Sequence, residues 1–210
     1  MPDHYDPGMG SDGGPALVAP GAVIEPGASV GAGTAVWDLA VVRRDARVGA
    51  DCIIGRGAFI DAGVMVGDRC KIQNNALIYA PAVLADGVFV GPAVVITNDR
   101  RPRAIRPDGG RKAAVDWQAD GVTIGHGASI GAGAVVVAGV TVGPWALVGA
   151  GATVVSDVAA HALVVGSPAR RVGWVDRWGE RLTQGPDGLW RGPGSDESFV
   201  ERQGVLELRP

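Results

Sequence analysis

The sequence has little of what marks most functional classes. Its 210 residues include two cysteines and three histidines, the formal net charge is −3, and no run of eighteen apolar residues occurs. The near-neutral charge argues against general binding to nucleic acid or acidic membranes. The missing apolar run excludes a membrane-spanning helix, and the polar start at residues 1–14 does not resemble a signal peptide. A cytoplasmic protein of one or two domains is therefore expected.

The scarcity of cysteine and histidine limits metal and redox chemistry. Cys52 and Cys70 lie eighteen residues apart, and no further cysteine or suitably spaced histidine completes a metal site. We therefore expect two core thiols rather than a disulfide or a metal site. His4, His126 and His161 are too scattered to predict converging zinc ligands, and none of them is favoured as a catalytic base.

In contrast, a six-residue repeat fills most of the chain. An aliphatic residue returns at every sixth position from Val18 to Ile96, fourteen times without exception, and again from Ile124 to Val154. With 47% hydrophobic residues, the first series would arise by chance with a probability of roughly 10⁻⁵ per register. A small residue stands two positions before nearly every aliphatic, and glycines cluster between the short apolar runs.

A period of six fits neither a helix, which repeats every 3.6 residues, nor a strand, which repeats every two. It fits a short strand followed by a sharp corner, with three such units closing a triangular coil of eighteen residues. Parallel pairing would stack the coils at about 4.8 Å each. The sequence therefore predicts an all-β fold, a parallel β-helix of about seven coils, in which Cys52 and Cys70 lie one above the other.

The repeat also divides the chain. Residues 1–16, rich in glycine and proline, are expected to be a flexible arm. The β-helix is predicted over residues 17–165, and residues 166–210 should cap its open end and continue as a tail. Within that last segment, the pattern predicts a short helix at residues 173–182 and an edge strand or hairpin at residues 199–208.

One long loop, residues 97–121, interrupts the β-helix. A long insertion in so regular a solenoid is usually functional or disordered. Guanidinium groups bind phosphoryl oxygens through paired, charge-assisted hydrogen bonds, so its basic cluster indicates phosphate recognition. The alternative is a solvated loop whose acidic residues balance the charge. The basic residues are Arg100, Arg101, Arg103, Arg106, Arg111 and Lys112, and the acidic residues are Asp99, Asp108, Asp116 and Asp120.

Two turns within the regular coils have unusual side chains. Trp37 and Asp38 occupy a corner where glycine is common, and the turn from Lys71 to Asn75 places four polar side chains around one aliphatic residue. Asparagine tolerates the left-handed backbone of a tight corner. Ordinary turn chemistry is therefore an alternative to a functional role for Asn74 and Asn75.

These segments together resemble a known family. The repeat, the capping segment Val165-Gly166-Ser167-Pro168-Ala169-Arg170 and the arginine-bearing loop resemble the left-handed β-helix acyltransferases. Within that group, four segments resemble bacterial sugar-nucleotide 3-N-acetyltransferases, which act on UDP-2-acetamido-3-amino-2,3-dideoxyglucuronate or on dTDP-3-amino-3,6-dideoxyhexoses. The four are Val36-Trp37, Lys71 to Asn75, Val90 to Asn98 with Pro102-Arg103 and Arg111-Lys112, and Gly166 to Trp174. The resemblance covers about residues 17–182.

The resemblance implies a left-handed helix, a parallel homotrimer with active sites between subunits, and acetyl-CoA as cosubstrate, with no metal. It implies Asn98 and Asn75 as catalytic residues. The substrate-binding residues expected from it are Trp37, Asp38, Arg56, Lys71, Gln73, Asn74, Tyr79, Arg103 and Lys112. The residues expected at coenzyme A are Gly133, Ala134, Gly151, Ala152 and Arg170. Arg56 and Asp38 depart from the family pattern, which has Gln and His there, so the sugar nucleotide is left open.

The expected chemistry needs no histidine base. A sugar amine with a pKa of about 8 is roughly 10% neutral at pH 7, a deficit of only about 1.4 kcal/mol. The neutral amine would attack the thioester directly, the CoA thiolate would take the proton, and corner amides would bind the oxyanion. Alternatives are an acyltransferase for another small amine or hydroxyl acceptor, a zinc-dependent carbonic anhydrase of the same prism, and a non-catalytic scaffold.

Overall fold

The structure, a computed structural model, describes residues 14–194 and 196–209. Twenty strands of two residues each follow one another along the chain. Most are separated by a corner of four residues. They are β1 Leu17–Val18, β2 Val23–Ile24, β3 Ser29–Val30, β4 Ala35–Val36, β5 Val41–Val42, β6 Arg47–Val48, β7 Ile53–Ile54, β8 Phe59–Ile60, β9 Met65–Val66, β10 Lys71–Ile72, β11 Leu77–Ile78, β12 Val83–Leu84, β13 Phe89–Val90, β14 Val95–Ile96, β15 Thr123–Ile124, β16 Ser129–Ile130, β17 Val135–Val136, β18 Thr141–Val142, β19 Leu147–Val148 and β20 Thr153–Val154.

Every third strand stacks on the previous one, which gives three flat parallel faces. Face A contains β1, β4, β7, β10, β13, β16, β19 and a later strand, β21 (Ala162–Val165). Face B contains β2, β5, β8, β11, β14, β17 and β20, and face C contains β3, β6, β9, β12, β15 and β18. The register is maintained across the long loop, where Leu84 pairs with Ile124. The predicted parallel β-helix is confirmed.

The repeat explains why the core forms. From residue 34 onward the repeated aliphatic residues and the small residues two positions earlier are buried, as at Cys52, Ile54, Cys70 and Ile72, all with no exposed surface, whereas the first coil is only partly covered. Burying an aliphatic side chain of this size stabilises the fold by about 1.5–3 kcal/mol. Both cysteines are free thiols, and the Cys70 N–H donates to Cys52 Sγ at 3.3 Å. The expected stacked core thiols are confirmed.

We name each corner by the two faces it joins. The AB corner contains residues 19–22, 37–40, 55–58, 73–76, 91–94, 131–134 and 149–152. The BC corner contains residues 25–28, 43–46, 61–64, 79–82, 97–122, 137–140 and 155–158, and the CA corner contains residues 31–34, 49–52, 67–70, 85–88, 125–128, 143–146 and 159–162. The third corner residue usually has positive φ, for example 68° at Gly57 and 58° at Asn75, a region in which glycine and asparagine are least strained.

The long loop leaves the BC corner and is partly ordered. It contains an antiparallel bridge between Ile105 and Arg111 and a 3₁₀ turn, η1, at Ala114–Asp116. The Asp120 N–H donates to Asn98 O at 2.9 Å, which closes its base. Arg100 Nε donates to Ala138 O at 2.6 Å and ties the first part of the loop to the next coil.

The predicted helix at residues 173–182 is wrong. Strand β22 (Arg170–Trp174) runs antiparallel to β21, and Val175 bridges Arg181. The buried Asp176 carboxylate accepts N–H bonds from Trp178 at 2.8 Å and Glu180 at 2.9 Å. An aspartate that binds nearby backbone amides in this way favours a turn over a helix, so this segment forms a hairpin.

The tail forms a four-stranded antiparallel sheet, which confirms the hairpin predicted at residues 199–208. Its strands are β23 Thr183–Gln184, β24 Trp190–Arg191, β25 Ser198–Arg202 and β26 Val205–Leu208. The sheet packs against the cap: the Phe199 ring lies 5.1 Å from the His161 ring, and Glu201 accepts hydrogen bonds from Arg171 and Trp174. Within residues 14–194 and 196–209, no helix is long and apolar enough to cross a membrane.

Candidate functional site

Most of the acceptor-binding and catalytic residues predicted from the sequence border one face of the prism. Face B lies between the AB and BC corners, and the predicted residues divide between those two corners. Those at the AB corner are Trp37, Asp38, Arg56, Gln73, Asn74 and Asn75, and those at the BC corner are Tyr79, Asn98, Arg103 and Lys112. Lys71 lies outside both groups, because it is the exposed residue of β10 on face A.

Asn98 is held at the BC corner with a defined orientation. Its Nδ2 donates to Ala80 O at 2.7 Å. A carbonyl oxygen accepts hydrogen bonds and cannot donate them, so the NH₂ group must face Ala80 and the amide oxygen must face the other way. Among the residues that the structure describes, none donates to Asn98 Oδ1. A half-buried side chain thus presents a fixed acceptor beside face B.

The part of face B beside Asn98 is apolar. Phe59, Leu77 and Val95 point outward from three successive coils and are half-buried. The Tyr79 ring lies 5.7 Å from the Phe59 ring and extends this surface to the BC corner. Apolar side chains offer no hydrogen bonds to a ligand. Polar recognition on this part of face B must therefore come from its two borders.

At the AB corner, the polar side chains mainly hold the coils together. Asp38 Oδ1 accepts the Gly21 N–H at 3.2 Å, and Asn74 Oδ1 accepts the Arg56 N–H at 3.0 Å. Asn75 has the left-handed φ of 58°. These are the contacts of ordinary turn chemistry, the alternative left open for Asn74 and Asn75.

The structure does not bring the two expected catalytic amides together. Asn75 precedes β11 at the AB corner, and Asn98 follows β14 at the BC corner one coil further on. With a strand rise of about 3.3 Å per residue, the two corners stand roughly 13 Å apart. Within one protomer, Asn75 and Asn98 cannot contact the same reacting atom.

Part of the basic loop cluster is balanced inside the loop. Arg106 Nη2 lies 3.2 Å from Asp108 and its Nη1 3.7 Å from Asp116, and Lys112 Nζ lies 3.8 Å from Asp99. A backbone N–H from Gly110, and then the Arg106 guanidinium, lower the pKa of Asp108. The geometry of these residues agrees with the alternative of a solvated loop whose acidic residues balance its charge.

The other loop arginines remain available. Within the described part of the chain, Arg101, Arg103 and Arg111 form no ion pair, and all three are exposed. Arg103 Nη1 donates only to Pro102 O at 2.9 Å. Residues of the loop also line a cleft of about 290 Å³, to which Arg101 and Lys112 contribute. The loop therefore offers cationic groups beside the BC corner.

The residues expected at coenzyme A lie at the AB corner of the last coils and in the cap. Gly133 and Gly151 have φ of 67° and 68°, with open space where a Cβ would stand. The side chains of Ala134 and Ala152 face the core, 0% and 1% exposed, so a ligand could contact only their backbone. Arg170 lines a cavity of about 550 Å³ at the end of the prism.

Two of the corner amides expected to bind an oxyanion are already engaged. The Gly133 N–H donates to Pro92 O and the Gly151 N–H to Ala132 O, both at 2.8 Å. These amides hold one coil on the next, and the Asn75 N–H does the same with Arg56 O at 2.9 Å. These three N–H groups are therefore not free to stabilise a tetrahedral intermediate.

The two described histidines lie away from face B. His126 and His161 both stand at the CA corner. His161 is 9% exposed, its Nδ1 lies 3.0 Å from Val175 O, and burial lowers its pKa. His126 packs edge-on against Trp145 at 5.1 Å. His4 lies outside the described residues, and within the described ranges His, Cys, Asp and Glu form no group that could hold a metal ion.

Sequence reasoning missed a polar column at the BC corner. Arg43 Nε lies 3.4 Å from Glu25 and its Nη1 lies 3.0 Å from Asp61. Asp61 Oδ2 accepts the Ala80 N–H at 3.3 Å. Ala80 lies one coil before Asn98 at the same corner. The signal is present in the sequence, since Glu25, Arg43 and Asp61 follow one another at intervals of eighteen residues. Aligning the chain in rows of eighteen would have revealed it.

Comparison with known proteins supports the repeat and the fold. The profile of the family described as hexapeptide repeat of succinyl-transferase matches residues 46–80 and 121–156. LpxA from Bacteroides fragilis 9343, a UDP-N-acetylglucosamine acyltransferase, is 16% identical with a TM-score of 0.62, over 76% of this chain and 61% of LpxA. The expected left-handed parallel β-helix of hexapeptide repeats is thereby confirmed. No match was found among curated proteins.

Two other solved structures align over less of their length. The acetyltransferase domain of PglB from Neisseria gonorrhoeae FA1090, also solved with acetyl coenzyme A, is 23% identical with a TM-score of 0.48. PerB from Caulobacter crescentus, in complex with CoA and GDP-perosamine, is 28% identical with a TM-score of 0.46. Each alignment covers 75% of this chain, which spans only 58% of either relative.

Proposed function

We propose that this hexapeptide-repeat β-helix is an acetyl-CoA-dependent N-acetyltransferase that acts on the 3-amino group of a nucleotide-linked amino sugar. The observation that carries the proposal is the oriented amide of Asn98. Its free oxygen borders an apolar part of face B and adjoins a loop with unpaired arginines. This combination suits an acceptor that carries both an amine and phosphates.

Asn98 would act by orienting the amine. Its Oδ1 accepts one N–H of the neutral amine, which turns the nitrogen lone pair toward the thioester carbonyl carbon. The C–N bond then forms, the C–S bond breaks, and the departing CoA thiolate takes the proton lost by the nitrogen. At pH 7 an amine with a pKa of about 8 is roughly 10% neutral, so attack without a protein base costs only about 1.4 kcal/mol.

The loop arginines would bind the nucleotide. Arg103 and Arg101 are exposed and without carboxylate partners in the described chain, so either can form paired hydrogen bonds to phosphoryl oxygens. Lys112 already lies 3.8 Å from Asp99, so its charge is partly balanced. We assign the larger share of phosphate binding to Arg103.

The AB corner would receive the remaining groups. Gln73, Asn75, Arg56 and Trp37 lie on the far border of face B from Asn98, a suitable distance for the nucleotide or the rest of the sugar. Coenzyme A would lie along the AB corner of the last coils, where Gly133 and Gly151 leave open space, and reach Arg170. A parallel homotrimer, in which a second copy completes each site, belongs to the same proposal, as does a cytoplasmic location.

A thiol-release assay tests the function. Acetyl-CoA is offered with a panel of UDP-, dTDP- and GDP-linked 3-amino sugars, with the matching 4-amino sugars as controls. We expect turnover with 3-amino compounds, which would also identify the nucleotide. Turnover confined to 4-amino sugars or to simple amines would overturn the acceptor class while keeping the acetyltransferase. Absence of both turnover and CoA binding by calorimetry would favour the scaffold.

A further inference from the structure

We infer that Asp61, held by Arg43, is a positioning residue that fixes the amide of Asn98 through the backbone of Ala80. The inference rests on the proposed function insofar as Asn98 takes part in the reaction. It adds to the BC corner a column of contacts that runs from Arg43 through Asp61 and Ala80 to Asn98.

The contacts form a continuous path. Arg43 Nη1 donates to Asp61 Oδ1 at 3.0 Å, and the Ala62 N–H donates to the same oxygen at 2.8 Å. Asp61 Oδ2 accepts the Ala80 N–H at 3.3 Å, and Ala80 O accepts from Asn98 Nδ2 at 2.7 Å. From Arg43 to Asp61, then Ala80, then Asn98, each step spans eighteen or nineteen residues, so the path climbs one coil at each step.

The direction of each hydrogen bond in the path follows from its donor and acceptor groups, and Asp61 contributes by holding the backbone of Ala80 in place. Arginine only donates and a carboxylate only accepts, so the direction of every bond up to Ala80 is fixed. Because Ala80 is held by Asp61 on one side, its carbonyl is directed at the Asn98 amide on the other. Asn98 can meet that carbonyl only with its NH₂ group, so its oxygen is held pointing away from Ala80.

The charged groups are sufficiently shielded to hold this arrangement. The Asp61 side chain is 18% exposed and the Arg43 side chain 31% exposed. Glu25 lies on the other side of Arg43, with its Oε2 accepting the Arg44 N–H at 2.8 Å. The hydrogen bond to Asp61 and the charge of Glu25 raise the pKa of Arg43, and a guanidinium is charged at every relevant pH even without that shift.

The test replaces the Asp61 carboxylate by an amide of the same shape. In Asp61→Asn, one side-chain oxygen is lost, so an NH₂ group must face either Arg43 or the Ala80 N–H, where donor opposes donor. Misplacement of a reacting group by a fraction of an ångström to about 1 Å lowers rates on the order of 10- to 100-fold. We expect kcat for acetyl transfer to fall by about tenfold, with the KM for acetyl-CoA unchanged.

Asp86→Asn is the matched control. At the CA corner, Asp86 accepts the Asp68 N–H at 3.0 Å and the Arg69 guanidinium at 3.1 Å, which copies the contacts of Asp61 without a link to Asn98. Because the Arg69 and Asp86 side chains are 59% and 44% exposed, it should lower the melting temperature by less than Asp61→Asn, and it should leave kcat unchanged. Equal loss of kcat in both variants would reduce Asp61 to a structural role and overturn the inference.

A double-mutant cycle separates this inference from the proposed function. If Asp61 acts through Asn98, Asp61→Asn should lower kcat in the native background and have no further effect in Asn98→Ala. Equal effects in the two backgrounds would overturn the positioning role. Full activity of Asn98→Ala would instead contradict the assignment of Asn98 in the proposed function.

A crystal structure of Asp61→Asn gives a readout that needs no activity. We expect the Asn98 amide to rotate or withdraw, so that Nδ2 and Ala80 O no longer lie at hydrogen-bond distance, while Asp86→Asn keeps that contact. A structure of Asp61→Asn in which the Asn98–Ala80 hydrogen bond is unchanged would overturn the inference, whatever reaction the protein performs.

Discussion

The AB and BC corners border the same face and both carry asparagine, yet the two corners use that side chain in opposite ways. At the AB corner, Asn74 spends its oxygen on the Arg56 N–H at 3.0 Å. At the BC corner, the Asn98 NH₂ group donates to Ala80 O at 2.7 Å, and its oxygen accepts from no residue that the structure describes. The polarity of the partner, rather than the residue type, decides which end of a corner asparagine amide stays free.

The largest effect is expected at Asn98. Replacing Asn98 by Ala removes the acceptor that orients the amine, and loss of one positioned hydrogen-bonding group typically lowers kcat by about 10²- to 10³-fold. Steady-state thiol-release kinetics with the identified acceptor measure this. The fold should persist, since the side chain is only half-buried. An unchanged kcat would show that Asn98 takes no part in the reaction, and the two corners would then not differ in function.

A smaller effect separates the free loop arginines from the paired ones. Arg103→Ala should raise the KM for the nucleotide sugar by about tenfold, because a charge-assisted hydrogen bond is worth roughly 1.5–3 kcal/mol. Arg106→Ala is the control, since Arg106 already forms ion pairs with Asp108 and Asp116. KM values for both substrates measure the difference. Equal increases in the two variants would mean that the loop acts only through its overall charge.

The AB corner should respond in stability rather than in rate. Asn74→Ala leaves the Arg56 N–H without its partner, and loss of such a hydrogen bond costs about 1 kcal/mol. Thermal unfolding should show a melting temperature lower by a few degrees, while kcat stays within about twofold of the native value. A large fall in kcat with unchanged stability would instead place Asn74 in the reaction.

The CA corner extends the comparison with a small pH effect. Burial lowers the folded pKa of His161 below its usual value of 6.5, so the unfolded chain binds a proton more readily than the folded one. The contribution of neutral, buried His161 to the free energy of unfolding is therefore fully present above pH 6.5 and decreases as the pH falls below that value. Melting curves from pH 5 to 7.5 should show that loss in the native protein and a weaker one in His161→Gln. The same slope in both would mean that other groups cause it.

The sequence was sufficient for most of the fold, and the reason is physical. A six-residue period with buried aliphatics every sixth position predicts stacked triangular coils, so the faces, the core thiols and the loop position were all predictable, whereas the left hand of the helix came from the family resemblance. The segment at residues 173–182 was not, because the carboxylate of Asp176 overrides a helical pattern by binding the Trp178 and Glu180 amides.

The site was only partly predictable. Asn98 and Arg103 were found through their resemblance to a family, and the repeat predicts which corner each occupies. The hydrogen-bond partners were not predictable, because a corner amide can face either neighbouring coil. Residue types and spacing alone therefore do not separate Asn74 from Asn98, and they do not show that Arg106 is paired within the loop while Arg103 is not. The Arg43–Asp61 pair became visible only once coils were stacked.

The most direct test of the account is a crystal structure of the protein with CoA and its 3-amino sugar nucleotide bound together. We predict that the amine nitrogen lies within hydrogen-bond distance of Asn98 Oδ1 at the BC corner, with the phosphates beside Arg103. An amine bound beside Asn74 and Asn75 at the AB corner, or beside His126 at the CA corner, would contradict the account.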